Sequence, residues 1–404
     1  MTAVPRPAGA DHGPAGGPRP ADVACAAALV GLPGMTPVRL ARLLDGRSPS
    51  DAWAAVVDGS HPAAPGARWS IAAVGTDPAE VADRYRAAGV EVLLPADPRY
   101  PARLAADPGA PAVLLCRGDP RSAWPGPAVA IVGTRAATPY GEQVAAELGR
   151  DLAAAGVAVV SGLALGIDAA AHAGVLAAGG ATARPVAVAG TGLDVPYPRA
   201  NARLWEGVAG AGAVLAEAPL GAPPRRGAFP ARNRIIAALS DVVVVVECHL
   251  GGGALHTVEA AARRGIPVVA VPGSVRSAAS RGTNGLLVDG CAPVRDVHDV
   301  LVAVSLARTG RDAPAPAARS HTFVAATGRD RRTRAPEAAA GRGGCPVDGA
   351  AEAAVWSALA GEPRTSAALA EATGLSVVDL ARACRTLLRA GAVVEGPGWW
   401  CRRG

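Results

Sequence analysis

The chain has 404 residues, half of them hydrophobic but only 3% aromatic, and its 40 basic residues are all arginine, set against 34 acidic ones for a formal net charge of +6. This length accommodates two or three domains and a large core, and a basic balance suits an anionic partner, yet residues 308–342 hold eight arginines and three carboxylates, so most of the excess belongs to one segment and does not define a groove. Seven scattered cysteines without a Cys-x-x-Cys pair exclude a zinc ribbon or a disulfide framework and fit reduced thiols in a cytosol.

Residues 1–21, rich in Pro and Gly, read as a disordered tail that lacks the apolar run of a signal peptide. Residues 22–86 are predicted as a small helical domain. Within it, residues 29–44 are patterned like a helix-hairpin-helix, but Thr36 stands where the second glycine of a phosphate-touching turn belongs, so a structural turn is expected. Residues 90–125 are mixed and Pro-rich. Short apolar strands then begin near Val129, Val157, Val186, Ala213, Val242 and Pro267, with helix-like segments between them such as 140–155 and 255–264. A βα period of about 28 residues predicts parallel strands joined by crossover helices. The run Val242–Val246, apolar at every position, fits a strand covered on both faces. Residues 87–307 are therefore expected to form a Rossmann-like, doubly wound, mostly parallel α/β core. The longest apolar stretch, 152–167, is bounded by acids and broken by Gly and Ser, too short and interrupted to span a bilayer. A cytoplasmic location without a membrane partner is expected.

Residues 308–349 read as a linker of Ala, Pro, Gly and Arg, and 350–404 as a separate domain. There a helix ends at Gly374, Ser376 is placed to cap the next, and that second helix carries Arg382, Arg385 and Arg389 on one face with Leu380, Leu387 and Leu388 as its apolar stripe. Residues 393–401 suit a hairpin wing. This pattern resembles a winged helix, whose arginine face is either a DNA contact or a solvated surface.

In open α/β sheets ligands bind beyond the carboxyl ends of the strands. The turns there are Gly133-Thr134-Arg135, the stretch from Ser161 and Gly162 through Gly166 to Asp168, Gly190-Thr191-Gly192, Gly251-Gly252-Gly253 and Pro272-Gly273. Several small, Gly-rich turns on one edge let backbone N–H groups approach an anion, and Arg135 adds a cation. No Gly-x-Gly-x-x-Gly follows the first strand and no Walker lysine exists, so NAD and ATP are not supported and no cofactor is expected. A second cluster, Phe229-Pro-Ala-Arg232-Asn233-Arg234-Ile-Ile236, offers guanidinium forks for phosphate and a ring to stack on a base. At least one of its arginines is expected to pair internally with Asp168, Glu217 or Glu247. Asp168 and His172 stand at i and i+4. Asp168 is read as a helix N-cap and His172 as a packed, hydrogen-bonded residue, because two ligands do not make a metal site. No nucleophile–base constellation is present, so no catalytic residues and no enzyme activity are expected.

These segments, together with Gly192-Leu-Asp194, Tyr197-Pro198, Val271-Pro-Gly273 and Gly282-Thr-Asn284, follow one another in order and resemble the DprA/Smf family of bacterial DNA-processing proteins. The resemblance implies a homodimer, joined through the Rossmann-like core, that binds and protects incoming single-stranded DNA and helps load the RecA recombinase in natural transformation. It places the family's DNA-contacting arginine on Arg135 and its Phe-Pro-x-Arg-Asn-Arg motif on Phe229, Arg232, Asn233 and Arg234. Residues and resemblance together give the candidate DNA-binding set Gly133, Thr134, Arg135, Ser161, Gly162, Gly166, Gly190, Phe229, Arg232, Asn233, Arg234, Gly252, Gly253 and Thr257. Two departures are evident. The family's serines in Ser-Gly-Ser-Leu are Gly252 and Ala254 here, and its arginine ahead of the Pro-Gly strand is Ile266. Both are expected to thin the polar groups around the groove and weaken salt-dependent affinity. The rival reading rests on Gly251–Glu259, which distantly resembles the Gly-Gly-x-Gly-Thr-x-x-Glu turn of cytokinin-activating phosphoribohydrolases and would make Glu259 an acid/base residue. A third reading has the core binding only protein partners.

Overall fold

The computed structural model describes residues 17–61, 67–123, 126–179, 184–312, 347, 349–360, 364–396 and 399–402. Most of the expected tail and most of the expected linker, including the arginine-rich run 329–342, lie outside these residues. The chain divides into two units, Met1–Thr327 and Gly328–Gly404. No helix among the described residues is long and apolar enough to cross a membrane.

The first unit opens with five helices, α1 (Pro20–Val30), α2 (Pro37–Leu43), α3 (Pro49–Val57), α4 (Ala67–Val74) and α5 (Pro78–Ala87). Three of them start with a proline behind a capping side chain: Thr36 accepts from Arg39 N, Ser48 from Asp51 N and Asp77 from Ala79 N. Pro pre-sets the first helical φ, and the cap satisfies an N–H the helix leaves open. Thr36 is thus an N-cap, as a structural turn requires. Helix α1 begins two residues ahead of the boundary expected at 22.

Then follow β1 (Val90–Leu93), α6 (Ala102–Ala105), β2 (Leu114–Gly118), β3 (Ala128–Val132), α7 (Pro139–Ala154), β4 (Ala158–Ser161), α8 (Ile167–Ala178), β5 (Pro185–Val188), α9 (Ala202–Ala211), β6 (Ala213–Ala216), α10 (Ala228–Ala238), β7 (Val242–Val245), α11 (Leu255–Ala262), β8 (Val268–Ala270), α12 (Arg281–Val288), β9 (Ala292–Pro293) and α13 (Val297–Asp312). The last helix runs past residue 307, where the linker was expected to begin.

These strands form one sheet in the order β1-β2-β6-β5-β4-β3-β7-β8-β9. From β6 to β9 every pair is parallel, whereas β1–β2 and β2–β6 are antiparallel. The chain leaves β3 toward β4, β5 and β6 on one side, then returns to β7, β8 and β9 on the other. The order therefore reverses between β3 and β7, the switch point at which doubly wound sheets open a crevice. Val129, Ile131, Val242 and Val244 pack with α7, α8 and α13 on one face, while Ala130, Val132, Val243 and Val245 pack with α10, α11 and α12 on the other. Each fully buried Val stabilises the fold by about 1.5–3 kcal/mol relative to exposure. Residues 22–86, expected as a small helical domain, share a core with the sheet. Leu29, Val56 and Trp69 belong to one cluster with Val92, Leu115 and Val214.

The second unit contains α14 (Ala350–Ala358), β10 (Arg364–Thr365), α15 (Ser366–Thr373), α16 (Val377–Arg389), β11 (Val393–Gly396) and β12 (Trp399–Arg402), with its strands ordered β10-β12-β11. Ser376 caps α16 by accepting from Asp379 N. Leu380 and Leu387 enter a core with Val355, Leu369 and Trp400. Leu388, expected in the same stripe, stays 37% exposed, because the adjacent position turns it toward the outer face. Arg382, Arg385 and Arg389 are exposed together.

Candidate nucleic-acid interface

The carboxyl ends of β3, β4 and β7 meet at the switch point, and the turn after β3 shapes the crevice there. A Cβ at Gly133 would lie 2.5 Å from the Ile167 side chain and 2.7 Å from the Glu247 carbonyl, so glycine is the residue that lets the three segments touch. Thr134 N donates to the Glu247 carbonyl at 2.7 Å. The Glu247 carboxylate, buried, accepts from Thr138 N and from the Thr138 hydroxyl at 2.8 and 2.7 Å, and the same hydroxyl caps α7 by accepting from Gly141 N. Gly166 adopts φ +73°, and a Cβ there would stand 2.5 Å from the Thr134 carbonyl. The Gly162–Gly166 turn is also held from outside, where the Asn201 amide donates to the carbonyls of Leu163 and Ala164.

Beneath this turn sits a buried charged group. Asp168 accepts from Gly162 N at 3.1 Å and lies 3.7 Å from the Arg232 guanidinium. Arg232 also donates to the Val188 carbonyl at the end of β5. Burial raises the Asp168 carboxyl and lowers Arg232, and each opposes the other's shift. Asp168 is the second residue of α8, behind Gly166 at the cap position, so it ties the preceding turn rather than capping the helix as expected. His172 is fully buried, and neither ring nitrogen has a hydrogen-bond partner among the described residues. Burial, reinforced by the Arg232 charge, pushes it down to about 3. The expectation that it is packed holds, but it is not hydrogen-bonded.

Helix α10 carries the second cluster, and both its arginines pair internally, one more than the minimum expected. Arg234 holds Glu217 through two hydrogen bonds of 2.7 and 2.6 Å, and Arg232 is buried as described. The Asn233 amide donates to the Gly253 carbonyl at 3.4 Å. Two other cations do face the crevice. Arg135 and Arg226 are exposed, line it, and make no ion pair among the described residues. The Arg135 guanidinium lies over the Phe229 ring at 5.3 Å, and Tyr197 packs against that ring at 5.4 Å between centroids.

The crevice has a volume of about 510 Å³, within the range of small-ligand sites. Of the expected residues, Gly133, Thr134, Arg135, Phe229, Arg232, Asn233, Gly253 and Thr257 line it. Gly190 backs the Phe229 ring, Gly162 and Gly166 shape the turn beside it, and Arg234 stands on Glu217. Ser161 turns away, because its buried hydroxyl donates to the Ile131 carbonyl at 2.7 Å within the sheet. Gly252 lies in the preceding turn, where its N–H donates to the His249 carbonyl. Of the two departures, Ala254 lines the crevice. Ile266 does not bear on it. It precedes β8 and is buried in the core at the amino end of the strands, the edge opposite the crevice. Glu259 is not among the lining residues and sits 3.8 Å from His256 Nδ1. Arg226, Tyr197 and His256 line the crevice without having been singled out for it. Tyr197 lay inside a quoted motif. Arg226 sits in an irregular segment, and only the sheet order brings it back to the switch point.

A doubly wound sheet whose switch-point crevice combines glycine turns, two guanidinium groups without an ion pair among the described residues and an aromatic pair defines a Rossmann-like protein with a candidate anion site. Residues 91–305, more than half of the chain, match the family described as DNA recombination-mediator protein A. The chain is 40% identical over 288 residues to the putative DNA processing protein DprA of Mycobacterium tuberculosis, covering 70% of each. It is 41% identical over 209 residues to DprA of Streptococcus pneumoniae, covering 51% of this chain and 71% of that protein. The X-ray structure of the latter matches with a TM-score of 0.59 at 33% identity, over 69% of this chain and 95% of that one. The chain belongs to the DNA recombination-mediator protein A family, the DprA and Smf proteins.

Proposed function

We propose that this chain binds single-stranded DNA in the switch-point crevice and acts on it as a recombination mediator without catalysing a reaction. The observation that carries the reading is the placement of Arg135 and Arg226, both without an ion pair among the described residues, beside a Phe229–Tyr197 aromatic pair at the mouth of a glycine-walled crevice. Guanidinium groups and backbone N–H groups take phosphates of any sequence. The rings stack on bases only where these are unpaired, which favours a single strand over a duplex. Gly133, Thr134, Gly253 and Thr257 form the walls, and Arg232 with Asn233 holds the floor in place. Family membership supports the wider role: a homodimer through the Rossmann-like core, in the cytoplasm, that protects incoming DNA and helps load RecA during transformation. The helix and strand order of the second unit supports a winged helix, with Arg382, Arg385 and Arg389 as its outward cationic face.

The test is anisotropy of labelled oligo-dT and of a duplex at two salt concentrations. Arg135→Ala is expected to weaken single-strand binding for all sequences alike and to flatten the salt slope by about one unit per lost phosphate contact. Unchanged oligo-dT affinity in this variant would overturn the site assignment.

A further inference from the structure

A second cavity of about 440 Å³ opens on the same carboxyl edge, lined by Thr138, Tyr140, Glu247, Pro272, Ser277 and Ser280 among others. It shares a wall with the crevice, since Thr134 lines the first and donates its N–H to Glu247, which lines the second. Tyr140 is 49% exposed, and its hydroxyl donates to the Pro272 carbonyl at 2.9 Å, so the ring is fixed as one side wall instead of rotating in solvent. Ser280, buried to 2% exposure, and Ser277 stand on the wall formed by the segment after β8.

We infer that this cavity takes one unpaired nucleobase of the strand whose phosphates lie in the crevice. The inference rests on the single-strand reading given above. A flat, half-exposed ring offers the stacking face that every base accepts. The hydroxyls of Ser277 and Ser280 both donate and accept, so they serve purines and pyrimidines alike. No cation among the described residues lines the cavity, which suits it to a base and leaves the phosphates to Arg135 and Arg226. Together the two cavities span the edge from β4 to β8 on both sides of the switch point, and the strand crosses it over the Thr134–Glu247 seam.

The experiment measures binding of oligo-dT and of an oligomer of equal length in which internal nucleotides are abasic, with the full chain and with Tyr140→Ala and Tyr140→Phe. Tyr140→Ala is expected to bind oligo-dT about tenfold more weakly and the abasic oligomer as the unsubstituted chain does. Tyr140→Phe, which keeps the ring, is expected to retain most of the affinity. A 2-aminopurine placed position by position along the oligomer is expected to show one position whose fluorescence changes on binding and loses that change in Tyr140→Ala. Equal losses for both oligomers, or no loss for either, would overturn the base subsite. Binding that depends on Arg135 and not on Tyr140 overturns this inference alone. A chain that binds no single strand at all overturns the crevice reading with it.

Discussion

With both ring nitrogens buried and unbonded, His172 resists protonation until about pH 3, whereas an unfolded histidine takes up its proton near 6.5. Between those values the unfolded chain binds the extra proton, so stability falls as pH drops through this window. A shift of that size corresponds to at most about 4–5 kcal/mol at 1.36 kcal/mol per unit. Asp168 acts with the opposite sign: its folded carboxyl is raised, so its own contribution favours the fold in acid and offsets part of the loss. Chemical denaturation at a series of pH values is expected to show stability declining from about pH 6.5 toward 4, and His172→Phe to flatten that decline. A decline of equal slope in the variant would remove His172 as its cause. The neighbouring arginine illustrates what residue types alone conceal. The Phe-Pro-x-Arg-Asn-Arg pattern placed three polar groups at the site and an internal ion pair for at least one arginine, but not that both turn inward, Arg232 to Asp168 and Val188 and Arg234 to Glu217. Which side of α10 meets the sheet is a matter of packing, and packing is absent from spacing.

At the scale of elements, the turn between β3 and α7 depends on β7. Thr138 both caps α7 and donates to the buried Glu247 carboxylate, so Thr138→Ala removes a cap and leaves a buried acceptor short of a partner. The expected cost is about 1–2 kcal/mol from the cap alone, with a further loss from the stranded carboxylate, read as a lower urea midpoint at unchanged slope. Weaker oligo-dT binding should accompany it, since the same seam positions Gly133–Arg135. The six parallel strands expected from the βα period are all present, because alternating apolar runs and glycine turns mark them clearly. The strands β1, β2 and β9 were not foreseen. β1 and β2 are four and five residues long in a Pro-rich region, and β9 is two residues long, so their pairing is decided by the neighbouring edge rather than by their own pattern. Ile266 was assigned to the groove through its nearness to a motif in sequence, although its position ahead of β8 already implied the other end of the sheet.

For the whole molecule, charge and site are separable. The crevice presents Arg135 and Arg226, while eight arginines fall in residues 308–342. Phosphate attraction from such a run is indifferent to strandedness. Replacing Arg329, Arg331, Arg332 and Arg334 with glutamine is therefore expected to reduce duplex and single-strand affinity by the same factor at low salt, whereas Arg135→Ala lowers the single-strand preference itself. Competition between the two DNA forms distinguishes them, and a selective loss of single-strand binding in the glutamine variant would contradict this division. The domain plan was legible only in part. Nothing in residues 22–86 signalled that their helices share a core with Val92 and Val214 of the sheet.

The stack of Arg135, Phe229 and Tyr197 has a practical consequence that follows from composition. The chain contains two phenylalanines, Phe229 and Phe323, and one of them is the central ring of that stack. Biosynthetic incorporation of fluorophenylalanine therefore yields a fluorine NMR spectrum of two lines, and Phe229→Leu assigns them by deletion. The Phe229 line reports on its own ring face, where the guanidinium now sits 5.3 Å away and an incoming base would have to replace it, so occupancy of the crevice becomes observable without labelling the nucleic acid.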